Sequence, residues 1–174
     1  MSDIVQSRMT FCPFFKGMLS LYIKNLIFFI LQPGLVVGLI PYLLIRHQFE
    51  AIINESLGLL DYLGITLIVM GLIITLYCVY RFIVDGRGTL SPVHRTKALV
   101  VKGLYKYTRN PMYVGMLLVL MGEVLFAGSI RLLVYTIAVA VAFHLFVIFI
   151  EEPRLTRDFK ADYLRYMNTV NRWF

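Results

Sequence analysis

Hydrophobic positions fall into four long runs, which cover residues 26–45, 62–84, 112–127 and 130–150. A helix needs roughly 20 apolar residues to cross the hydrocarbon core of a bilayer. Three runs meet this length, and the shorter third run is joined to the fourth by a tight Gly128-Ser129 turn. We therefore predict an all-α integral membrane bundle of about four spans, forming a single domain over residues 1–174.

Amphipathic segments flank these runs. In residues 9–23 apolar side chains recur at helical spacing, which predicts a helix lying in the membrane interface. In the tail, residues 151–174, one helical face collects Leu155, Phe159, Tyr163, Tyr166, Val170 and Trp173. This pattern predicts an amphipathic C-terminal helix. We expect Tyr163, Tyr166 and Trp173 to pack on its membrane face.

Proline and glycine mark the first span. Pro33 and Pro41 predict a kink, because neighbouring helices can satisfy the carbonyls that proline leaves free. Gly34 and Gly38 have the GxxxG spacing that is typical of close helix packing.

Polar residues inside spans are functional candidates. Glu123 lies near the outer end of the third span. The structural alternative to a functional role is that it is interfacial or pairs with Arg131. His144 precedes Glu151 by seven residues, so the two side chains can share a helix face. A hydrogen bond between helices is the alternative for His144.

Composition supports the membrane assignment and charge orients it. Hydrophobic residues make up 59% of the chain and charged residues 16%, against about a quarter in soluble domains. Residues 81–111 hold seven Lys or Arg against one acid, Asp85. By the positive-inside rule this segment and both termini are cytoplasmic, in the inner membrane if the source is a bacterium. The net charge of +7 then reflects topology and anionic headgroups rather than nucleic acid.

The cysteines indicate neither a disulfide nor a metal site. Cys12 and Cys78 lie far apart in the chain and form no CxxC pair. We predict two free thiols and no bound metal.

The cytoplasmic segment 97–115 carries unusual chemistry for a connecting loop. Gly103 permits a tight turn, and Pro111 suits the first turn of the third span. The segment also contains Arg109, Asn110 and three tyrosines, at 105, 107 and 113. A helix N-terminus with nearby cations and aromatic faces can bind a small ligand that has an aromatic base and a carboxylate.

A second polar pair, Glu151-Glu152, stands where the fourth span is expected to leave the membrane. Carboxylates at a helix C-terminus are destabilising unless cations compensate them. Arg154 and Arg157 are the structural candidates for that role. The functional alternative is that one carboxylate meets a cationic ligand group, such as an ammonium near a sulfonium.

Together these segments resemble the isoprenylcysteine carboxyl methyltransferase family of membrane methyltransferases and its bacterial relatives. The family motif Arg-His-Pro-x-Tyr-x-Gly is similar to residues 109–115, and the family's Glu pair to Glu151-Glu152. The closing Phe-Gly-x-x-Tyr…Val-Pro-Arg is similar to Phe159, Tyr163, Tyr166 and residues 170–172. The resemblance covers roughly residues 85–174.

The resemblance implies S-adenosylmethionine as the cofactor, leaving as S-adenosylhomocysteine, in a pocket closed by the tail. By position, the residues that it assigns to cofactor binding are Lys97, Ala98, Leu99, Val100, Tyr105, Asn110, Pro111, Met112, Tyr113 and Glu151. Arg109 and Glu152 are the candidates for a catalytic role. Because a sulfonium is already a good leaving group, we expect in-line displacement that depends on alignment and exclusion of water.

Two departures from the family pattern bear on mechanism and substrate. Asn110 replaces the family's His and cannot carry a proton, so it is no general base. Val147 replaces an Arg that in the prenylcysteine branch is assigned to the substrate's carboxylate. This replacement disfavours a prenylcysteine as the acceptor. The expected acceptor is a lipophilic molecule from the bilayer, with a thiol, a carboxylate, a phospholipid amine and a quinone-like hydroxyl as the alternatives.

Two other functions compete with methyl transfer. Membrane sterol reductases carry a similar His-Pro-x-Tyr region and bind NADPH there. A non-enzymatic membrane scaffold or transport subunit would bind neither nucleotide. S-adenosylhomocysteine, NADPH or no binding would separate the three functions.

Overall fold

The computed structural model describes residues 33–48, 56–85 and 99–173, and this part of the chain is helical without strands. A π-helical turn, Leu35–Leu39, continues as α1 (Ile40–Ile45). The long α2 (Leu59–Asp85), α3 (Pro111–Ala127) and α4 (Ile130–Phe146) follow. A second π-helical turn, Val147–Glu151, leads into α5 (Glu152–Thr169). The predicted interfacial helix at 9–23 lies outside the described residues.

Two of these helices are long and apolar enough to cross a membrane. They are Leu59–Arg81 within α2, and the continuous helix Ile130–Thr169, in which the apolar part ends at Ile150. Leu35–Ile45 and Pro111–Ala127 are shorter apolar helices. An all-helical, membrane-associated architecture is therefore present, while a total of four spans stays a prediction.

Glycines bring α2 and α3 into direct backbone contact. A Cβ atom on Gly71 would lie 2.5 Å from the carbonyl oxygen of Gly115, and one on Gly122 would lie 2.5 Å from that of Gly64. Small residues at such crossings let helix backbones approach closely. The GxxxG spacing of Gly34 and Gly38 does not do this, because an added Cβ there would meet no described atom within 4 Å.

Each π-helical turn ends two residues before a proline. The N–H of Ile40 bonds to the carbonyl of Leu35 ahead of Pro41, and the N–H of Glu152 bonds to that of Val147 ahead of Pro153. Proline lacks an N–H and its ring clashes with the carbonyl four residues earlier, so a wider turn relieves the clash. The kink predicted in the first span stays a prediction, and before Pro41 the structure has this wider turn.

The helix of the fourth span does not end at the Glu pair, where the sequence predicted a helix C-terminus. The helix continues through the π-helical turn into α5, so the Glu pair occupies a helix interior. The helix-dipole penalty expected for these carboxylates is therefore absent.

The tail helix is interrupted at Lys160, which has φ 44° and ψ −118°. A left-handed φ is costly for a residue with a Cβ atom. The break follows Phe159 and divides α5 into two parts. The second part, residues 161–169, covers the loop before α3 through the bond of Tyr166 to Tyr105.

Candidate functional site

A hollow lies between the loop before α3 and the helix α5. Its cavity volume is about 50 Å³, and about 500 Å³ of space is free of atoms when the part that opens to solvent is included. Pockets for small molecules usually measure 300–1,000 Å³. A ligand of nucleoside size would therefore extend beyond the cavity into its open mouth. The lining residues are Leu99, Val100, Tyr105, Arg109, Asn110, Glu151, Glu152, Leu155, Phe159, Tyr163 and Tyr166.

The loop that forms one wall is shaped by a 3₁₀ turn, Gly103–Lys106. Gly103 has φ +64°, and a Cβ atom at this position would clash with the hydroxyl of Tyr77. Tyr105 is buried, and its carbonyl accepts a hydrogen bond of 2.6 Å from the hydroxyl of Tyr166 on α5. This bond ties the loop to the tail helix.

Tyr113 and Glu151 meet beside the hollow. The Tyr113 hydroxyl donates to Oε2 of Glu151 at 3.0 Å. The Tyr113 ring packs on Phe143 with centroids 4.7 Å apart, in an apolar cluster that includes the fully buried Val147. The π-helical turn before Glu151 thus places the acid against the first turn of α3.

Glu152 is the centre of an ion-pair cluster. Both of its carboxylate oxygens accept hydrogen bonds from Arg172, each at 2.8 Å. Nη1 of Arg109 lies 3.1 Å from Oε1 of Glu152. The side chains of Arg109 and Glu152 retain only 9% and 10% of their exposure, against 31% for Arg172.

The end of the tail is fastened to the loop by its backbone. The carbonyl of Arg172 accepts hydrogen bonds from Oγ1 of Thr108 at 3.1 Å and from Nδ2 of Asn110 at 3.0 Å. The N–H of Arg109 donates to the carbonyl of Asn171 at 3.0 Å. The Asn110 side chain is used here and does not cap α3.

Burial dominates the electrostatics of the acid at this wall. Glu151 is the first residue beyond the apolar part of its helix, and desolvation raises its pKa, opposed by the Tyr113 hydrogen bond and the charge of Arg154. The pKa of Tyr163 is also raised, chiefly by burial and next by the charge of Glu152. A ligand that carries positive charge would favour the ionised form of Glu151.

The structure brings most of the predicted site residues together. Leu99, Val100, Tyr105, Arg109, Asn110, Glu151 and Glu152 line the hollow. Tyr113 does not line the hollow itself but donates a hydrogen bond to Glu151, which does. Pro111 is buried, and Met112 packs against two apolar clusters, one that contains Tyr113 and one that contains Cys78. Lys97 and Ala98 lie outside the described residues.

Side chains of α5 complete the lining and were not predicted to do so. Tyr163 and Tyr166 are buried and face the hollow together with Leu155 and Phe159, so their predicted place on the membrane face is wrong. The aromatic residues that recur on one face of the tail were the sequence signal for this contact. That face covers the loop before α3 rather than lipid.

The ion pairs of the Glu pair differ in part from the expectations. Glu152 is compensated by Arg109 and Arg172, whereas Arg154 lies 3.8 Å from Asp158 and its charge acts on Glu151. The cluster of Arg109, Glu152 and Arg172 joins the loop before α3 to the tail. Contacts between such distant segments cannot be predicted from helical spacing, which relates only residues of one helix.

The two polar residues inside the spans have the following partners. His144 is exposed and accepts a 3.1 Å hydrogen bond from Nε1 of Trp173, which lies beyond the end of α5, so the expected structural hydrogen bond is made to the tail rather than to another helix. Arg131 contacts the carbonyl of Leu44 at 3.5 Å and does not pair with Glu123. One carboxylate oxygen of Glu123 is buried without a partner among the described residues.

The lining chemistry fits a nucleoside attached to an amino acid. Tyr105, Phe159, Tyr163 and Tyr166 offer aromatic faces, and Arg109 and Glu151 offer one charge of each sign. Leu99, Val100 and Leu155 supply apolar surface at the same hollow.

A family model described as phospholipid methyltransferase matches residues 60–162. These residues include α2, α3, α4 and the first part of α5, and with them most of the hollow. No curated protein and no solved structure matches the chain.

Proposed function

Since the chain belongs to the phospholipid methyltransferase family, we propose that it transfers a methyl group from S-adenosylmethionine to a lipophilic acceptor at the cytoplasmic face of a membrane. The observation that carries this proposal is the Tyr113–Glu151 hydrogen bond at the wall of the hollow. It holds a buried carboxylate beside aromatic faces, where a positively charged nucleoside can be stabilised.

S-adenosylmethionine, when bound, supplies a methyl group on a positively charged sulfur, which leaves as a neutral thioether. Glu151 contributes negative charge to balance the ammonium and sulfonium groups of this cofactor. Tyr105 and Tyr163 offer faces on which adenine can stack. The cover formed by α5 excludes water and fixes orientation, which are the main contributions a protein makes to such a displacement.

The proton of the acceptor must leave by a route that does not use Asn110, since its amide does not titrate. Asn110 instead holds the tail through the Arg172 carbonyl. We assign it a positioning role.

The acceptor is proposed to be a lipid with a nucleophilic headgroup. The family's description favours a phospholipid, and the apolar helices next to the hollow support an acceptor that comes from a bilayer. Val147 is fully buried against Tyr113 and Phe143, so this position offers no charge to a prenylcysteine carboxylate.

Isothermal titration of detergent-purified protein with S-adenosylhomocysteine and with NADPH tests the cofactor. We expect binding of the first and none of the second. Radiolabelled S-adenosylmethionine incubated with the protein and membrane lipid extracts should then label a lipid. NADPH binding without S-adenosylhomocysteine binding would favour a reductase, and binding of neither would contradict both enzyme functions.

A further inference from the structure

Arg109 is buried at the hollow, where its guanidinium is paired with Glu152 and hydrogen-bonded to Tyr163 but keeps donors that the protein does not use. Its Nε and Nη1 atoms are buried and have no hydrogen-bond acceptor among the described residues. Nη1 is within ion-pair distance of Glu152, but the direction is wrong for a hydrogen bond. Buried N–H groups without acceptors are costly, especially on a charged group.

Glu152 does not need Arg109 for hydrogen bonding. Arg172 already donates to both of its oxygens in the bidentate arrangement that carboxylates favour. Two guanidinium groups thus face one carboxylate, so these three side chains carry one net positive charge, at the same hollow as the Glu151 carboxyl.

The start of α3 adds to this positive charge. The side chain of Asn110, the N-cap residue, makes no capping hydrogen bond. The first residue, Pro111, has no N–H, and the N–H groups of the next two residues have no acceptor among the described residues. An uncapped helix N-terminus favours an anion, and the buried Arg109 side chain lies immediately before it.

We propose that Arg109 binds the carboxylate of the cofactor's amino acid end. This inference rests on the proposed function. An α-amino acid carries its ammonium and carboxylate on one carbon, so it requires an acid and a base within one small space. Glu151 and Arg109 line the same hollow, so both charges of such a group can be met there.

The test compares two ligands that differ only in this carboxylate: S-adenosylhomocysteine and its decarboxylated amine analogue. Isothermal titration of the full-length wild-type protein should show at least tenfold tighter binding of the first, about 1.4 kcal/mol. Arg109→Gln should abolish this preference by weakening S-adenosylhomocysteine binding while leaving the analogue unchanged. Arg109→Lys, which keeps the charge but loses the fork of donors, should give an intermediate preference.

Arg157→Gln is the matched control, because Arg157 is exposed on α5 and does not line the hollow. It should leave both dissociation constants unchanged. Melting temperatures of all variants establish that each is folded, and Arg109→Lys provides the measurement if Arg109→Gln does not fold.

Three outcomes would overturn the inference. Equal wild-type affinity for the two ligands would show that the carboxylate is not recognised. A preference that survives in both Arg109 variants would place the carboxylate elsewhere. If Arg109→Gln instead raises KM for an added phospholipid without changing either cofactor affinity, Arg109 binds lipid phosphate. Failure of wild-type protein to bind either ligand would contradict the proposed function itself.

Discussion

The hydroxyl of Tyr113 lies 3.0 Å from Oε2 of Glu151 and donates a hydrogen bond to it. The contact joins the first turn of α3 to the end of the π-helical turn before α5. It fixes the acid at the wall of the hollow. A carboxylate held in this way needs no rearrangement to meet a cation.

Replacing Glu151 by Gln should weaken S-adenosylhomocysteine binding at least tenfold, on the order of 1.4 kcal/mol. The amide oxygen can still accept the Tyr113 hydrogen bond, so folding should be preserved while the negative charge is lost. Isothermal titration measures the effect, and a melting temperature near that of wild type confirms the fold. An unchanged dissociation constant would remove Glu151 from the cofactor site.

Cofactor binding should depend on pH through Glu151. Its pKa is raised by burial, so part of the population is protonated at a pH above the ordinary glutamate value of about 4.3. The protonated acid has no charge to offer a cation, so S-adenosylhomocysteine affinity should fall as pH falls through the raised pKa.

The same linkage predicts that binding releases a proton, because a bound cation lowers the pKa of Glu151. The measured enthalpy should therefore vary with the ionisation enthalpy of the buffer. In Glu151→Gln this dependence should disappear. A buffer dependence of equal size in the variant would assign the proton to another group.

Arg172→Gln should loosen the tail. Breaking a fully buried ion pair costs 3–5 kcal/mol. Arg172 retains 31% of its exposure and Arg109 remains beside Glu152, so we expect a loss of about 1–2 kcal/mol. Reversible unfolding in detergent measures this loss. Arg165→Gln is the control, because Arg165 is exposed on the same helix, and an equal loss in both variants would contradict the role of the pair.

Gly71→Ala should separate α2 from α3. The added Cβ atom would lie 2.5 Å from a backbone oxygen and 2.8 Å from Val119, and neither can move without shifting the helix. Overpacking of this kind costs about 1–3 kcal/mol. Gly38→Ala makes the same chemical change where no described atom is within 4 Å, so it should raise the melting temperature, because alanine favours a helix over glycine by about 0.5–1 kcal/mol. A loss of equal size in both variants would contradict the packing explanation.

Lys160→Gly should stabilise the protein by about 1 kcal/mol. Lys160 has φ 44° and ψ −118°, a combination that glycine adopts without the steric cost paid by other residues. The family motif Phe-Gly-x-x-Tyr has glycine at this position, after the residue that corresponds to Phe159. A rise in melting temperature is the expected result. Lys160→Ala retains a Cβ atom and should give no rise, and a rise in both variants would attribute the gain to loss of the lysine charge.

Much of the fold could be predicted because length and hydropathy determine it. The predicted third span at 112–127 corresponds to the helix Pro111–Ala127, since Pro111 and Gly128 mark both ends in the sequence. The continuation of the fourth helix past Glu151 was missed, because a change from apolar to charged residues resembles the end of a span. Hydropathy records where lipid contact stops and gives no information on where backbone hydrogen bonding stops.

The candidate site was predictable in its motifs but not in its pairings. The Tyr113 and Glu151 segments were identified by residue type and order. The contacts of Arg172 with Glu152 and of Trp173 with His144 depend on where the tail lies in three dimensions. Helical spacing suggested partners within one helix, such as Arg154, whereas the structure uses residues from another segment.

The π-helical turn Val147–Glu151 has a consequence for any change in chain length there. Its i→i+5 hydrogen bond accommodates one more residue than a regular turn would. Deleting a single residue from 147–150 would restore ordinary α-helical spacing and so remove a local irregularity. Because the wide turn already absorbs the extra residue, the two sides would keep nearly the same phase, whereas a deletion in a regular α-helix turns one side by about 100° relative to the other. Glu151 would then still face the hydroxyl of Tyr113, so the chain can lose a residue at this turn without turning the acid away from the hollow.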